Sequence, residues 1–131
     1  MDSNLSNILS AISVILVFLT IIFDILSKEV DVLVGKKKPL EKEGEYRKEL
    51  QTAFRRSASN TVLHSIAFLM LTFLLFPTVF TILKNSSLNL WNFDVLNTLF
   101  VFIYIFVIIF SILSIRMTYK ILKRKSEVFR R

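Results

Sequence analysis

Val95–Ile115 reads Val-Leu-Asn-Thr-Leu-Phe-Val-Phe-Ile-Tyr-Ile-Phe-Val-Ile-Ile-Phe-Ser-Ile-Leu-Ser-Ile, without a single charge. As a helix it is long enough to cross the roughly 30 Å hydrocarbon core of a bilayer. A helix on a soluble protein keeps a polar face, and this stretch is apolar nearly all round. It ends at Arg116, where a basic tail begins. Two further apolar runs, Leu5–Leu26 and Ala58–Leu83, share its character. The expected fold class is all-α: a single membrane domain over residues 1–131, with spans at about 5–26, 58–83 and 95–115, a loop at 27–57 and a tail at 116–131.

The chain has 131 residues, 53% of them hydrophobic, with 13 Phe, 2 Gly and 2 Pro, which is one domain's worth. Cys is absent, which excludes disulfides and thiolate metal sites. His64 is the one histidine, and a lone imidazole does not build a metal site. The formal charge of +7 would point to nucleic acid in a soluble protein. Here it reads as basic loops facing the cytoplasm, with no direct nucleic-acid partner. Of the 17 basic residues, all but Lys84 fall in the 27–57 loop or the tail. The expectation is a multi-pass protein of the cell inner (plasma) membrane, N-terminus outside and C-terminus cytoplasmic. Met1–Asn4 is acidic and lacks the positive start of a secretory signal, so the first run reads as an uncleaved span. Richness in Ile, Phe, Lys and Asn points to an AT-rich gene of bacterial or mobile origin.

Within the first span, Ser6, Ser10, Ser13, Val17, Thr20, Asp24, Ser27 and Asp31 alternate by four and three residues. That is one seam at the spacing of left-handed helix packing. Small hydroxyl residues at a seam allow close approach, so the seam reads as a helix–helix interface within the monomer or between copies. The competing reading is that the hydroxyls bond back to their own helix. Asp24 is the only acid inside an apolar run, four residues before Lys28. An intramembrane carboxylate invites a functional role, but here a carboxylate at interface depth, solvated or paired with Lys28, is the better reading.

In the loop, Gly35-Lys36-Lys37-Lys38-Pro39 through Gly44 marks a chain reversal. Val30, Leu33 and Val34 extend the first helix below the membrane, and Tyr46, Leu50 and Phe54 lead into the second. A short cytoplasmic helical hairpin is expected, its mixed charges either solvated or docking a partner. The second span opens on polar residues, with Asn60 and His64 one turn apart on a shared face. His64 has the chemistry of a proton carrier or pH sensor. The plainer expectation is a satisfied polar residue packed against the first span's polar seam near the inner headgroups. Pro77 is expected to kink the outer third of this helix. Lys84–Asp94 reads as the outside loop, with Trp91 and Phe93 at the headgroups and Asn92 or Asp94 capping the third helix. Asn85-Ser86-Ser87 matches the glycosylation pattern but lies too close to the membrane to count.

In the third span Asn97, Tyr104, Ser111 and Thr118 recur every seven residues, with Ser114 on the same side. The tail carries Arg116, Lys120, Lys123, Arg124, Lys125, Arg130 and Arg131, with Tyr119, Leu122 and Phe129 lending partial amphipathicity. It is expected to lie along an anionic inner leaflet, where each basic residue contributes about 1 kcal/mol.

No glycine-rich phosphate loop, nucleophile motif or carboxylate pair appears. Catalytic residues, cofactors and metals are therefore not expected. Three functions fit what remains. One is a self-associating, membrane-perturbing effector of toxin, holin-like or phage-defence type. Another is an anchor or regulatory subunit of a partner membrane or cytoplasmic protein. The third is a small channel, with the polar stripes facing a pore.

Overall fold

The computed structural model describes residues 2–85 and 95–130. The expected outside-loop features from Ser86 to Asp94, including Trp91 and Phe93, and the terminal Arg131 lie outside those residues.

The three apolar runs fold as helices that outrun a bilayer. Helix α1 is Asp2–Val34, α2 is Gly44–Asn85 and α3 is Val95–Phe129, of 33, 42 and 35 residues. At 1.5 Å per residue they are about 50, 63 and 53 Å long, well beyond the hydrocarbon thickness. Each is long and apolar enough to cross a membrane, and the described residues contain no strand. Residues such as Phe18, Phe73, Leu74 and Phe102 are more than half exposed, a belt that a water-soluble surface would not carry. The architecture is that of a multi-pass membrane protein.

The helices run up, down and up. Contacts pair Thr72 with Ser111, Ser65 with Thr118 and Phe54 with Phe129, so α2 and α3 are antiparallel. Phe23 meets Phe110 and Asp31 meets Lys120, so α1 and α3 are parallel. The interface between α2 and α3 is the largest, and α1 joins both less extensively.

One spacing explains the packing. In α1, Leu5, Leu9, Ile12, Leu16, Leu19, Phe23, Leu26, Val30 and Leu33 alternate by four and three and face the other helices. The α2 residues Leu50, Phe54, Ser57, Thr61, His64, Phe68, Leu71 and Leu75 do the same, as do Phe100, Tyr104, Val107, Ser111 and Ser114 in α3. A repeat of 3.5 keeps one seam turned inward along a left-handed supercoil.

These seams form two apolar cores. The first, around Ile12, Phe68, Leu71, Phe100 and Val107, lies within the expected spans. The second, around Val30, Leu33, Leu50, Phe54, Ile121 and Val128, lies beyond them at the basic end. The expected hairpin is therefore present, but as uninterrupted continuations of α1 and α2. Between α1 and α2, residues 35–43 alone leave the helices. There the Glu43 carbonyl accepts the first bond of α2 from the Arg47 N–H at 3.0 Å, and Glu45 sits favourably in its first turn. Helix α2 also continues through Pro77, whose carbonyl accepts a bond from the Thr81 hydroxyl at 2.9 Å.

The basic tail continues α3 as the third member of the basic-end bundle. Met117, Ile121 and Val128 are buried, while Tyr119 and Leu122 are exposed. The reason is that the inward seam of α3 keeps its period past Arg116, and that seam outcompetes the weaker stripe of Tyr119 and Leu122. Lys120 bonds Asp31 at 2.8 Å, and Arg124 donates to the Lys36 carbonyl at 3.0 Å, tying α3 to the turn after α1.

Candidate functional site

Between the two apolar cores lies a polar layer built from α2 and α3. His64 is 5% exposed and contacts both other helices. Its Nε2 lies 2.8 Å from the Leu19 carbonyl of α1, and its Nδ1 lies 3.2 Å from the Ser114 Oγ of α3. Phe23 and Phe68 pack against the ring, and Phe110 stacks on Phe68.

Donor and acceptor arithmetic orders the network. A carbonyl only accepts, so Nε2 carries the hydrogen toward Leu19. In the neutral ring Nδ1 then accepts from the Ser114 hydroxyl. With that hydrogen committed, Ser65 donates to Ser114 at 2.9 Å, and Thr118 donates to Ser65 at 2.9 Å. The Ser114 and Thr61 carbonyls, at 3.0 and 3.2 Å from Thr118 Oγ1, are alternative acceptors for the last hydrogen. With the ring neutral the hydrogens thus run from Thr118 through Ser65 and Ser114 to His64, whose own N–H goes to Leu19. Two turns away, the Thr72 and Ser111 hydroxyls sit 3.1 Å apart and each also bonds back to its own helix.

The layer matches one expected stripe closely. Ser111 and Ser114 face inward with Tyr104, and Asn97 and Thr118 are half-buried on the same side. His64 is a satisfied polar residue, as expected, but its partner in α1 is the Leu19 backbone and not the hydroxyl seam. The ring sits over the apolar stripe of α1, one residue away from the polar one. Asn60, one turn before His64, is half-buried and takes no part in the network. Thr72, outside the expected polar stripes, continues the seven-residue series Ala58, Ser65, Thr72, Val79.

The first-span stripe has a different fate. Ser6, Ser10 and Ser13 are exposed and Thr20 is half-buried. Ser10, Ser13 and Thr20 donate to the carbonyls of Ser6, Leu9 and Leu16 in their own helix, at 3.0, 2.8 and 2.7 Å. Within one chain Ser6, Ser10 and Ser13 are therefore no interface, and the stripe meets α3 only toward the basic end, where Asp31 bonds Lys120. Leucine-type side chains interdigitate better against α2 and α3, and back-bonded hydroxyls lose little by facing outward.

Asp24 is exposed and paired with Lys28 at 2.9 Å, the arrangement expected at the end of a span. Lys120 and Arg124 are engaged as described above, while Lys123, Lys125 and Arg130 lie on the same basic end. The described residues hold no cluster of three His, Asp or Glu side chains. Ser57 Oγ is buried without a hydrogen-bond partner, the one such hydroxyl among the described residues.

No protein-family model matches this chain, and no curated protein or solved structure resembles it at a significant level.

Proposed function

We propose that this is a non-enzymatic inner-membrane protein of bacterial type that self-associates and perturbs the bilayer, as a toxin, holin-like or phage-defence effector does. One observation carries the reading. The polar stripe of α3 is consumed inside the bundle, whereas Ser6, Ser10 and Ser13 of the matching α1 stripe face outward. Val17 within it and Val14 and Ile21 beside it are more than half exposed, so a second copy has a flat, small-residue surface to approach. Helix α1 is also the least extensively packed of the three, which leaves it freest to exchange partners.

Interhelical polar contacts in membranes contribute only about 0.6 kcal/mol each, so several must act together and assembly depends on copy number. The test is a membrane-potential dye in cells expressing wild type or the Ser10→Leu, Ser13→Leu, Thr20→Leu triple variant at matched levels. Wild type should depolarise the inner membrane above a threshold of expression, and the triple variant should insert without doing so. Wild-type cells that keep their potential at high expression, with neighbouring genes supplied, exclude the effector reading. Orientation is tested separately: reporter fusions after Gly44 and after Arg131 should report cytoplasm, and one after Asn89 the outside.

A second reading, an anchor or regulatory subunit, is favoured by the packed core at the basic end. Leu50, Phe54 and Ile121 are 2%, 0% and 0% exposed there, so a partner would meet a built helical surface and not a loose tail. Capture of a defined partner by wild type and its loss on surface substitution of Glu45 or Glu49 would favour this reading. The channel reading gains no such support. The polar groups inside the bundle bond one another, and Phe23, Phe68 and Phe110 close over them.

A further inference from the structure

The basic end carries a groove of about 910 Å³ lined by α1 and α3 alone. Its floor includes Val30 and Met117, which are 1% and 7% exposed. Its two ends differ in chemistry. Toward the apolar belt it is walled by Phe23 and Leu113, and away from the belt by basic side chains of α3. Leu113 lies about one turn, or 5 Å, closer to the bilayer centre than Arg116. The groove therefore straddles the depth at which acyl chains give way to headgroups.

Its charge is unbalanced. Arg116, Lys120, Lys123 and Arg124 face Asp31 and Glu127, an excess of two positive charges. Asp31 holds Lys120 at 2.8 Å, and Glu127 holds Arg124 at 3.4 Å. No acid among the described residues pairs with Arg116 or Lys123. These two are seven residues apart with Lys120 between them, so all three share one face of α3. Arg124 Nε adds a buried donor without a partner.

We propose that this groove binds an anionic phospholipid, its phosphate between Arg116 and Lys123 and one acyl chain against Phe23 and Leu113. The amphipathic shape selects the ligand. A soluble phosphate makes no use of the apolar end, and a neutral lipid leaves the cations unmatched. Basic pockets between membrane helices at the headgroup level suit this class of ligand. The site goes beyond a general attraction of the tail to the leaflet, because it is formed jointly with α1. It rests on the chain spanning a bilayer and not on self-association, so its test and the depolarisation test fail independently.

The test is native mass spectrometry of the full chain in neutral detergent, with phosphatidylglycerol, phosphatidylcholine or glycerol phosphate added. Wild type should retain phosphatidylglycerol and neither of the others. Arg116→Gln with Lys123→Gln should weaken retention by about thirtyfold. Lys37→Gln with Lys38→Gln removes the same charge from the exposed turn and should leave retention unchanged. Asp31→Asn frees Lys120 and should tighten it, the opposite of what loss of a merely structural ion pair would do. Equal losses in the two double variants would reduce the site to diffuse charge, and equal binding of glycerol phosphate would make it a phosphate site; either result overturns the proposal. Should the groove variant fail to fold by circular dichroism, a second readout decides. With Trp91→Phe removing the native tryptophan, Leu113→Trp should be quenched by phosphatidylglycerol brominated on its acyl chains more strongly than by brominated phosphatidylcholine. Equal quenching by the two lipids refutes the site.

Discussion

The hydroxyl stripes of α1 and α3 share a 3.5-residue period and similar side chains, yet Ser111 and Ser114 are 5% and 0% exposed while Ser6, Ser10 and Ser13 face outward. The difference lies in what stands opposite. Helix α2 offers α3 a matching series of Thr61, His64, Ser65 and Thr72, so each hydroxyl gains a cross-helix partner. Between α1 and α2 the apolar seams pack together, and the one hydrogen bond among the described residues runs from His64 to the Leu19 carbonyl. Polar residues in a membrane helix turn inward where the neighbouring helix answers them. Otherwise they bond to their own backbone and leave the inward seam to Leu, Ile and Phe.

The largest expected effect sets the two stripes against each other. Ser114 is fully buried between α2 and α3. Replacing it by Leu overpacks the layer and should cost about 3 kcal/mol, enough to disrupt the monomer. The α1 triple replacement by Leu adds more bulk in total and should leave monomer stability within about 0.5 kcal/mol, because Ser10 and Ser13 are exposed and half-buried Thr20 bonds only its own helix. Unfolding in detergent followed by circular dichroism measures both. Comparable losses would mean that the α1 stripe is buried after all.

His64 comes next. His64→Leu removes two cross-helix bonds while keeping the apolar contacts with Phe23 and Phe68. At about 0.6 kcal/mol per bond the expected loss is near 1 kcal/mol, and His64→Gln should lose less. Both should leave membrane activity intact. Loss of activity in a well-folded His64→Gln variant would instead assign the ring a proton-handling role.

Much of this was legible in the sequence, and the failures have a common cause. The long uncharged runs required spanning helices, and Val30, Leu33, Leu50 and Phe54 marked their extension past the membrane. The stripe of Tyr104, Ser111 and Ser114 was legible because its polar residues stood out at a strict period. In α1 two adjacent stripes have the same period, Leu9-Ile12-Leu16-Leu19 and Ser10-Ser13-Val17-Thr20, rotated by one residue. In water the apolar one would turn inward by hydrophobicity alone. In lipid both faces are solvated by apolar chains, so packing shape decides, and shape depends on the neighbours. The tail poses a related ambiguity: its basic residues stand out, while Met117, Ile121 and Val128 continue the inward seam of α3 past Arg116.

Within the inward seam, Thr72 tests whether its partner in α3 matters. Thr72→Val keeps the shape and removes the 3.1 Å contact with Ser111. Both hydroxyls also bond back to their own carbonyls, at 2.8 Å in each case, so neither is orphaned by the change. The expected loss is about 0.5 kcal/mol, read from the same unfolding measurement.

Asp24 and Ser57 give small effects of opposite sign. Asp24 and Lys28 are 63% and 76% exposed at their side chains, so Asp24→Asn should cost at most about 0.5 kcal/mol and less at high salt. Ser57 is the inward residue that nothing answers, 0% exposed and without a hydrogen-bond partner for its hydroxyl. A buried hydroxyl left unpaired costs about 1 kcal/mol or more, and alanine is the better helix former. Ser57→Ala should therefore raise stability slightly, by about 0.5–1 kcal/mol after allowing for the small space it opens. Ser65→Ala, eight residues on and beside that seam, removes a hydroxyl that bonds both Ser114 and Thr118 and should lower it. The pair separates polarity from position: two serines of one helix, both buried, differ only in whether another helix supplies a partner. If Ser57→Ala destabilises as much as Ser65→Ala, then Ser57 has a partner within the bundle, and the polar layer extends further toward the basic end than the bonds described here.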